Sequence, residues 1–212
     1  MRRQGPATGA PAGIVLLHGR GGSAADILSL MDHAALPHVA AIAPEAPGRS
    51  WWPTSFLAPT AQMEPHVLRA LDQVTAAIAT LQAEGIPRDA IWLAGFSQGA
   101  CLASEAYARL GAGLAGLMAF SGGLVGTADA EGPATPALYG HGPKRFDYDA
   151  KLSGKAWLSV HAQDPHIPLA RVQDSAATFT TLGAMVEMTT HPGAGHGVLP
   201  DDIAALRRFL AP

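Results

Sequence analysis

The chain has 212 residues, 48% of them apolar, and a formal net charge of -3 with its basic residues scattered. That length suits one domain, 1–212, with a continuous hydrophobic core, and the charge pattern lacks the basic footprint of a nucleic-acid binder. A single cysteine, Cys101, excludes an internal disulfide and a cysteine-based zinc site, which fits a reducing, cytoplasmic setting.

In chain order, residues 1–12 read as a poorly ordered or extended lead-in. The apolar run that follows, Ile14-Val15-Leu16-Leu17, is too short for a signal-peptide core, so no export signal is expected. No segment approaches the ~20 apolar residues of a membrane span, so no stable membrane insertion is expected. Apolar runs recur at 13–17, 39–43, 90–94, 114–120, 156–160 and 185–190. Helix-period segments lie between and after them at 24–35, 64–83, 98–110, 169–182 and 201–209. Continuous apolar strands alternating with helices predict a mostly parallel sheet covered on both faces. The long second helix carries the stripe Val67, Leu68, Leu71, Val74, Ile78 and Leu81, with Pro65 expected in its first turn.

After the first strand comes Leu17-His18-Gly19-Arg20-Gly21-Gly22, a turn whose backbone N–H groups can face a ligand. Gly19 to Ala24 also fits the dinucleotide pattern G-x-G-x-x-A, with Glu45 about 20 residues on as a ribose-binding acid would be. Against that reading, His18 interrupts the passage from strand to glycine, and no nicotinamide site follows. The loop after the second strand is aromatic, and its Trp51, Trp52 and Phe56 are candidates for an apolar wall against a substrate; pinning the loop to the core is the plainer role.

Gly95-Phe96-Ser97-Gln98-Gly99 fits G-x-S-x-G between an apolar strand, Ile91-Trp92-Leu93, and a helix of small residues. A serine on a sharp strand-to-helix turn points its hydroxyl outward, and flanking glycines let strand, turn and helix approach. A helix-capping serine in a glycine-rich turn is the bland alternative. Cys101, on that helix, reads as a buried core thiol, and Ser121 in Phe120-Ser121-Gly122-Gly123 as structural.

Asp164 lies just beyond the fifth apolar run, with Pro165 biasing it towards an extended backbone. Asp129, Asp147, Asp149 and Asp174 are the other acids considered for the same role. His196 sits between Gly195 and Gly197 after the last apolar run, with His161, His166 and His191 as alternatives. The order Ser97, Asp164, His196, each after a strand, favours a nucleophile, an orienting acid and a base. The histidines are too dispersed for a metal site. There is no H-E-x-x-H and no P-loop, Gly154-Lys155 being followed by Ala156. No metal and no cofactor are expected.

On these motifs, together with Pro192-Gly193-Ala194-Gly195-His196, the chain resembles the α/β-hydrolase superfamily. Within it, the resemblance is to the phospholipase/carboxylesterase group that includes acyl-protein thioesterases. It implies Ser97, Asp164 and His196 as a catalytic triad, with the backbone amides of Arg20 and Gln98 as an oxyanion hole. It also implies a domain with no large cap, often dimeric, and a reduced sheet of about six or seven strands with helices on both faces. The expected reaction is hydrolysis of a small-molecule carboxylic ester of small or medium acyl chain, lysophospholipid or thioester being alternatives. A nicotinamide-dependent oxidoreductase and a non-catalytic hydrolase-like binding protein are the rival classes.

Overall fold

The computed structural model describes residues 1–128 and 135–211. Seven strands form one sheet: β1 (Arg2–Gln4), β2 (Gly13–Leu17), β3 (Ala40–Ala43), β4 (Ile91–Phe96), β5 (Gly116–Phe120), β6 (Lys155–Gln163) and β7 (Met185–Ala194). Their spatial order is β1-β3-β2-β4-β5-β6-β7. Every pairing is parallel except that of β1, which runs antiparallel to β3 with Arg2 opposite Ala43 and Gln4 opposite Ala41.

The described residues form five α-helices, α1 (Ala24–Ala34), α2 (Thr60–Ala83), α3 (Gln98–Leu110), α4 (Leu169–Thr181) and α5 (Pro200–Leu210), of which the first four connect strands and α5 follows β7. The two-residue period of a strand sends successive side chains to opposite faces, and β2 shows the result. Val15 and Leu17 pack with the buried faces of α2, α3 and α4, whereas Ile14 and Leu16 pack with those of α1 and α5. Both faces are therefore covered, as uninterrupted apolar strands require. Among the described residues, none forms a cap domain over the sheet.

Two local features differ from the sequence expectation. Helix α2 begins at Thr60 rather than at 64, which moves Pro65 from the first turn into the helix body. The cause is non-local: the Thr60 amide and hydroxyl both donate to the Thr127 carbonyl, at 3.1 and 2.8 Å, and fix the first turn early. Strand β7 runs on through Ala194, past the end of its apolar run, because β6 also extends to Gln163 and continues to pair with it. No described helix is long and apolar enough to cross a membrane.

Candidate active site

The site lies at the carboxyl ends of β2, β4, β6 and the loop after β7. At the end of β4 the chain must reverse into α3 within one residue, and Ser97 takes φ 54° and ψ -121° to do it. That region is sparsely populated for a residue with a Cβ and costs on the order of 1–3 kcal/mol. Surrounding contacts hold it there. The Ser97 amide donates to the Phe120 carbonyl at 3.0 Å, and the Ser97 carbonyl accepts from the Cys101 amide at 3.0 Å. The two glycines of the motif are needed for space: a Cβ on Gly95 would stand 2.4 Å from the Gly99 carbonyl, and one on Gly99 would stand 2.0 Å from the Leu17 oxygen.

The Ser97 Oγ lies 2.9 Å from His196 Nε2, and His196 Nδ1 lies 2.8 Å from Asp164 Oδ2. Asp164 is buried. Its second oxygen, Oδ1, accepts from the amides of His166 at 2.9 Å and Ile167 at 3.0 Å. Burial pushes its carboxyl pKa up, but the His196 hydrogen bond and the two amides together outweigh burial and hold it below the usual carboxylate value. An ionised Asp164 accepts the proton on His196 Nδ1, which leaves Nε2 facing Ser97 with its lone pair. The Tyr139 hydroxyl donates to the Asp164 carbonyl. The His196 ring also packs against Phe96 and, edge-on, against His166, each with centroids 4.9 Å apart.

A cavity of about 540 Å³ opens above Ser97. Arg20, Gln98, Trp52 and Phe56 line it with Ser97 and His196. The backbone amides of Arg20 and Gln98 make no hydrogen bond to the described residues, whereas neighbouring Gly21 donates to Arg49 and Gly22 to Gly19. Trp51 is not among the lining residues, which corrects its place in the expected apolar wall. Its indole Nε1 donates to the His18 carbonyl at 2.9 Å and its ring packs on His18, so it pins the loop to the core. Cys101 reaches the cavity floor, and burial pushes its thiol up to about 12.

Of the described alternatives raised by the sequence, all but His166 lie outside the cavity. His161 and His191 pack on each other with centroids 5.7 Å apart, and neither lines the cavity. His166 lines it but meets Asp164 through its amide. Asp147 and Asp149 border a separate groove beside Arg109, Asp174 lies on α4, and Asp129 falls outside the described residues. Glu45 accepts from the Ala24 amide at 2.7 Å and so serves the start of α1.

Two roles in the site were not read from the sequence. The Gln98 side chain grips the aromatic loop, its Oε1 accepting from the Trp51 amide at 2.9 Å and its Nε2 donating to the Trp52 carbonyl at 2.8 Å. His18 joins two loops: Nε2 accepts from the Ala46 amide at 3.1 Å, so the proton sits on Nδ1 and is given to the Gly19 carbonyl at 2.7 Å.

The sequence profile of the phospholipase/carboxylesterase family matches residues 4–212. The chain belongs to that family. A phospholipase/carboxylesterase from Dyadobacter fermentans is 36% identical, with a TM-score of 0.85 over 100% of this chain and 95% of that one. The carboxylesterase of Bacillus cereus superposes with a TM-score of 0.72 over 99% and 92% at 16% identity. Arabidopsis thaliana SOBER1 does so with 0.72 over 94% and 97% at 22% identity; at such identities the likeness concerns the fold. The architecture is thus an α/β-hydrolase fold, with no cap domain among the described residues, and the chain is an esterase-type hydrolase.

Among the described residues no group of three or more His, Cys, Asp or Glu side chains could hold a metal ion.

Proposed function

We propose that this chain is a serine hydrolase that cleaves carboxylic esters of small or medium acyl chains through an acyl-enzyme intermediate. In this reading His196 Nε2 takes the Ser97 proton while Oγ attacks the ester carbonyl carbon, and the carbonyl π electrons move to oxygen. The oxyanion is met by the amides of Arg20 and Gln98. Collapse expels the alcohol, which leaves with the proton from His196, and water attacks the acyl-enzyme with His196 again as base. Asp164 favours the charged imidazole in both halves and keeps its own proton off throughout.

The observation that carries the reading is the continuous chain Ser97 Oγ, His196, Asp164, with steps of 2.9 and 2.8 Å, opening into a cavity beside two uncommitted amides. Preorganised donors of that kind are worth roughly 10²–10³ in kcat each. The buried faces of Trp52 and Phe56 favour an acyl chain over a second polar group. Thioesters and lysophospholipids share the tetrahedral chemistry and are the second reading.

A fluorophosphonate adduct located by peptide mass spectrometry tests the assignment. The expected site is Ser97, with labelling lost in Ser97→Ala. Labelling elsewhere, or ester turnover that survives Ser97→Ala, would overturn it.

A further inference from the structure

Among the described residues, those lining the catalytic cavity include Arg20, His166 and His196 but no aspartate or glutamate. Asp164, the acid nearest the reaction, is buried behind His196 with its oxygens occupied. Of these side chains Arg20 carries the permanent charge.

Arg20 directly follows Gly19, which packs against the elbow: a Cβ on Gly19 would stand 3.3 Å from that of Ser97. Its side chain is exposed and reaches across to the aromatic loop, where Nη1 donates to the Pro53 carbonyl at 2.9 Å and Nη2 to the Thr54 carbonyl. Both carbonyls belong to residues that border the same cavity. The two bonds fix the guanidinium without neutralising it. Among the described residues no carboxylate comes within 4.0 Å of it, whereas Arg3 and Arg208 each have one and Arg109 has two. Of its five N–H donors, three remain uncommitted among the described residues.

A guanidinium held in place by main-chain oxygens has already lost the freedom that binding would cost, and its planar fork matches carboxylate and phosphate oxygens. Burial divides the cavity by chemistry. Trp52, Phe56 and Ile167 offer buried apolar faces suited to the acyl chain, and exposed Arg20 is left for the portion that stays in contact with water.

Resting on the esterase reading, we propose that the preferred substrates are esters whose alcohol portion carries an anionic group, bound by Arg20 at the mouth of the cavity. The test compares kcat/KM for 4-acetoxybenzoate with that for methyl 4-acetoxybenzoate, and for 4-acetoxyphenyl phosphate with that for phenyl acetate. The anionic-to-neutral ratio is the readout, because any disturbance of the Arg20 backbone amide enters numerator and denominator alike. Arg20→Gln should lower the ratio about fivefold, the range of an exposed ion pair, and Arg20→Lys should keep most of it. Raising ionic strength should lower the wild-type ratio and leave that of Arg20→Gln flat. A response in the carboxylate pair alone, the phosphate pair alone or both identifies the anion recognised. An unchanged ratio in Arg20→Gln, with neutral esters still turned over, would overturn this proposal and leave the esterase reading intact. If the wild type turns over none of the four and Ser97 takes no fluorophosphonate, both fall.

Discussion

Two carboxylates, Asp164 and Glu105, are each 1% exposed, and the molecule uses them in opposite ways. Glu105, on α3, sits in a closed network. Its oxygens accept from Arg109 at 2.9 Å, the Val125 amide at 2.8 Å and the Tyr148 hydroxyl at 2.8 Å, and Arg109 is held again by Glu64. Every partner of Glu105 is a structural group, and the network ties the irregular segment after β5 to α2 and α3. Asp164 is as well satisfied, but one of its partners, His196, has a second nitrogen directed at a hydroxyl in an open cavity. A buried charge therefore does not by itself mark a site of chemistry. What distinguishes the two is whether the chain of hydrogen bonds ends in more structure or at a reactive atom.

Substitutions on the two sides should separate activity from stability. The largest effect is expected for Ser97→Ala, which removes the terminal atom of the open chain and should lower kcat by roughly 10⁶-fold, measured on a p-nitrophenyl ester with a chromatographically clean variant. Asp164→Asn keeps the volume but donates where the carboxylate accepted, which sets the imidazole in the wrong tautomer. A fall of about 10⁴-fold in kcat with a native circular dichroism spectrum is expected, and a loss under tenfold would remove Asp164 from the mechanism.

Glu105→Ala should invert that pattern. Its removal leaves the Val125 amide and Tyr148 hydroxyl without their acceptor and costs roughly 3 kcal/mol, about 10 °C in Tm. The folded protein should turn over esters at the wild-type rate. If thermal stability held while kcat collapsed, the contrast between the two carboxylates would be wrong.

A smaller effect tests the aromatic loop. Trp52→Ala should raise KM progressively along a series of p-nitrophenyl esters of increasing acyl length, and Trp51→Ala should affect all lengths equally. A length-dependent effect at Trp51 would contradict its placement outside the cavity. The smallest effect concerns acid stability. Because Asp164 is held below its ordinary value, it contributes stability above about pH 4 that is lost as the pH falls through the folded value. The decline of Tm below pH 4 should be shallower in Asp164→Asn, as followed by calorimetry.

The parts of this fold that could be read from sequence are those governed by local period. Four buried apolar runs and five amphipathic segments correspond to β2 and β4–β6 and to the helices, because each must bury its apolar side chains whatever its neighbours are; the run at 185–190, interrupted by Glu187, marks the edge strand β7, whose residues are half-buried or exposed. The run at 39–43 likewise marks β3. Strand β1 was legible only as an extended lead-in, since Arg2-Arg3-Gln4 has no apolar alternation and owes its pairing to main-chain atoms of Ala41 to Ala43. The early start of α2 depends on Thr127, 67 residues away. In the site, the chain order of Ser97, Asp164 and His196 picks out side chains that the fold brings into contact, because strand ends at one edge of a parallel sheet converge. The Gln98 grip, the His18 bridge and the turning away of Trp51 involve partners 28 to 48 residues apart in loops with no repeating pattern. Nothing in composition or period could have indicated them.

The Gln98 grip has one more implication, for how such a catalyst can diversify. It takes hold of the aromatic loop by the Trp51 nitrogen and the Trp52 carbonyl oxygen, atoms that every replacement except proline at 51 would retain. The identity of the side chain facing the acyl group is thereby uncoupled from the anchoring of the segment that presents it. Lineages, or a laboratory library, can sample new residues at position 52 while the wall stays moored to the residue beside the nucleophile.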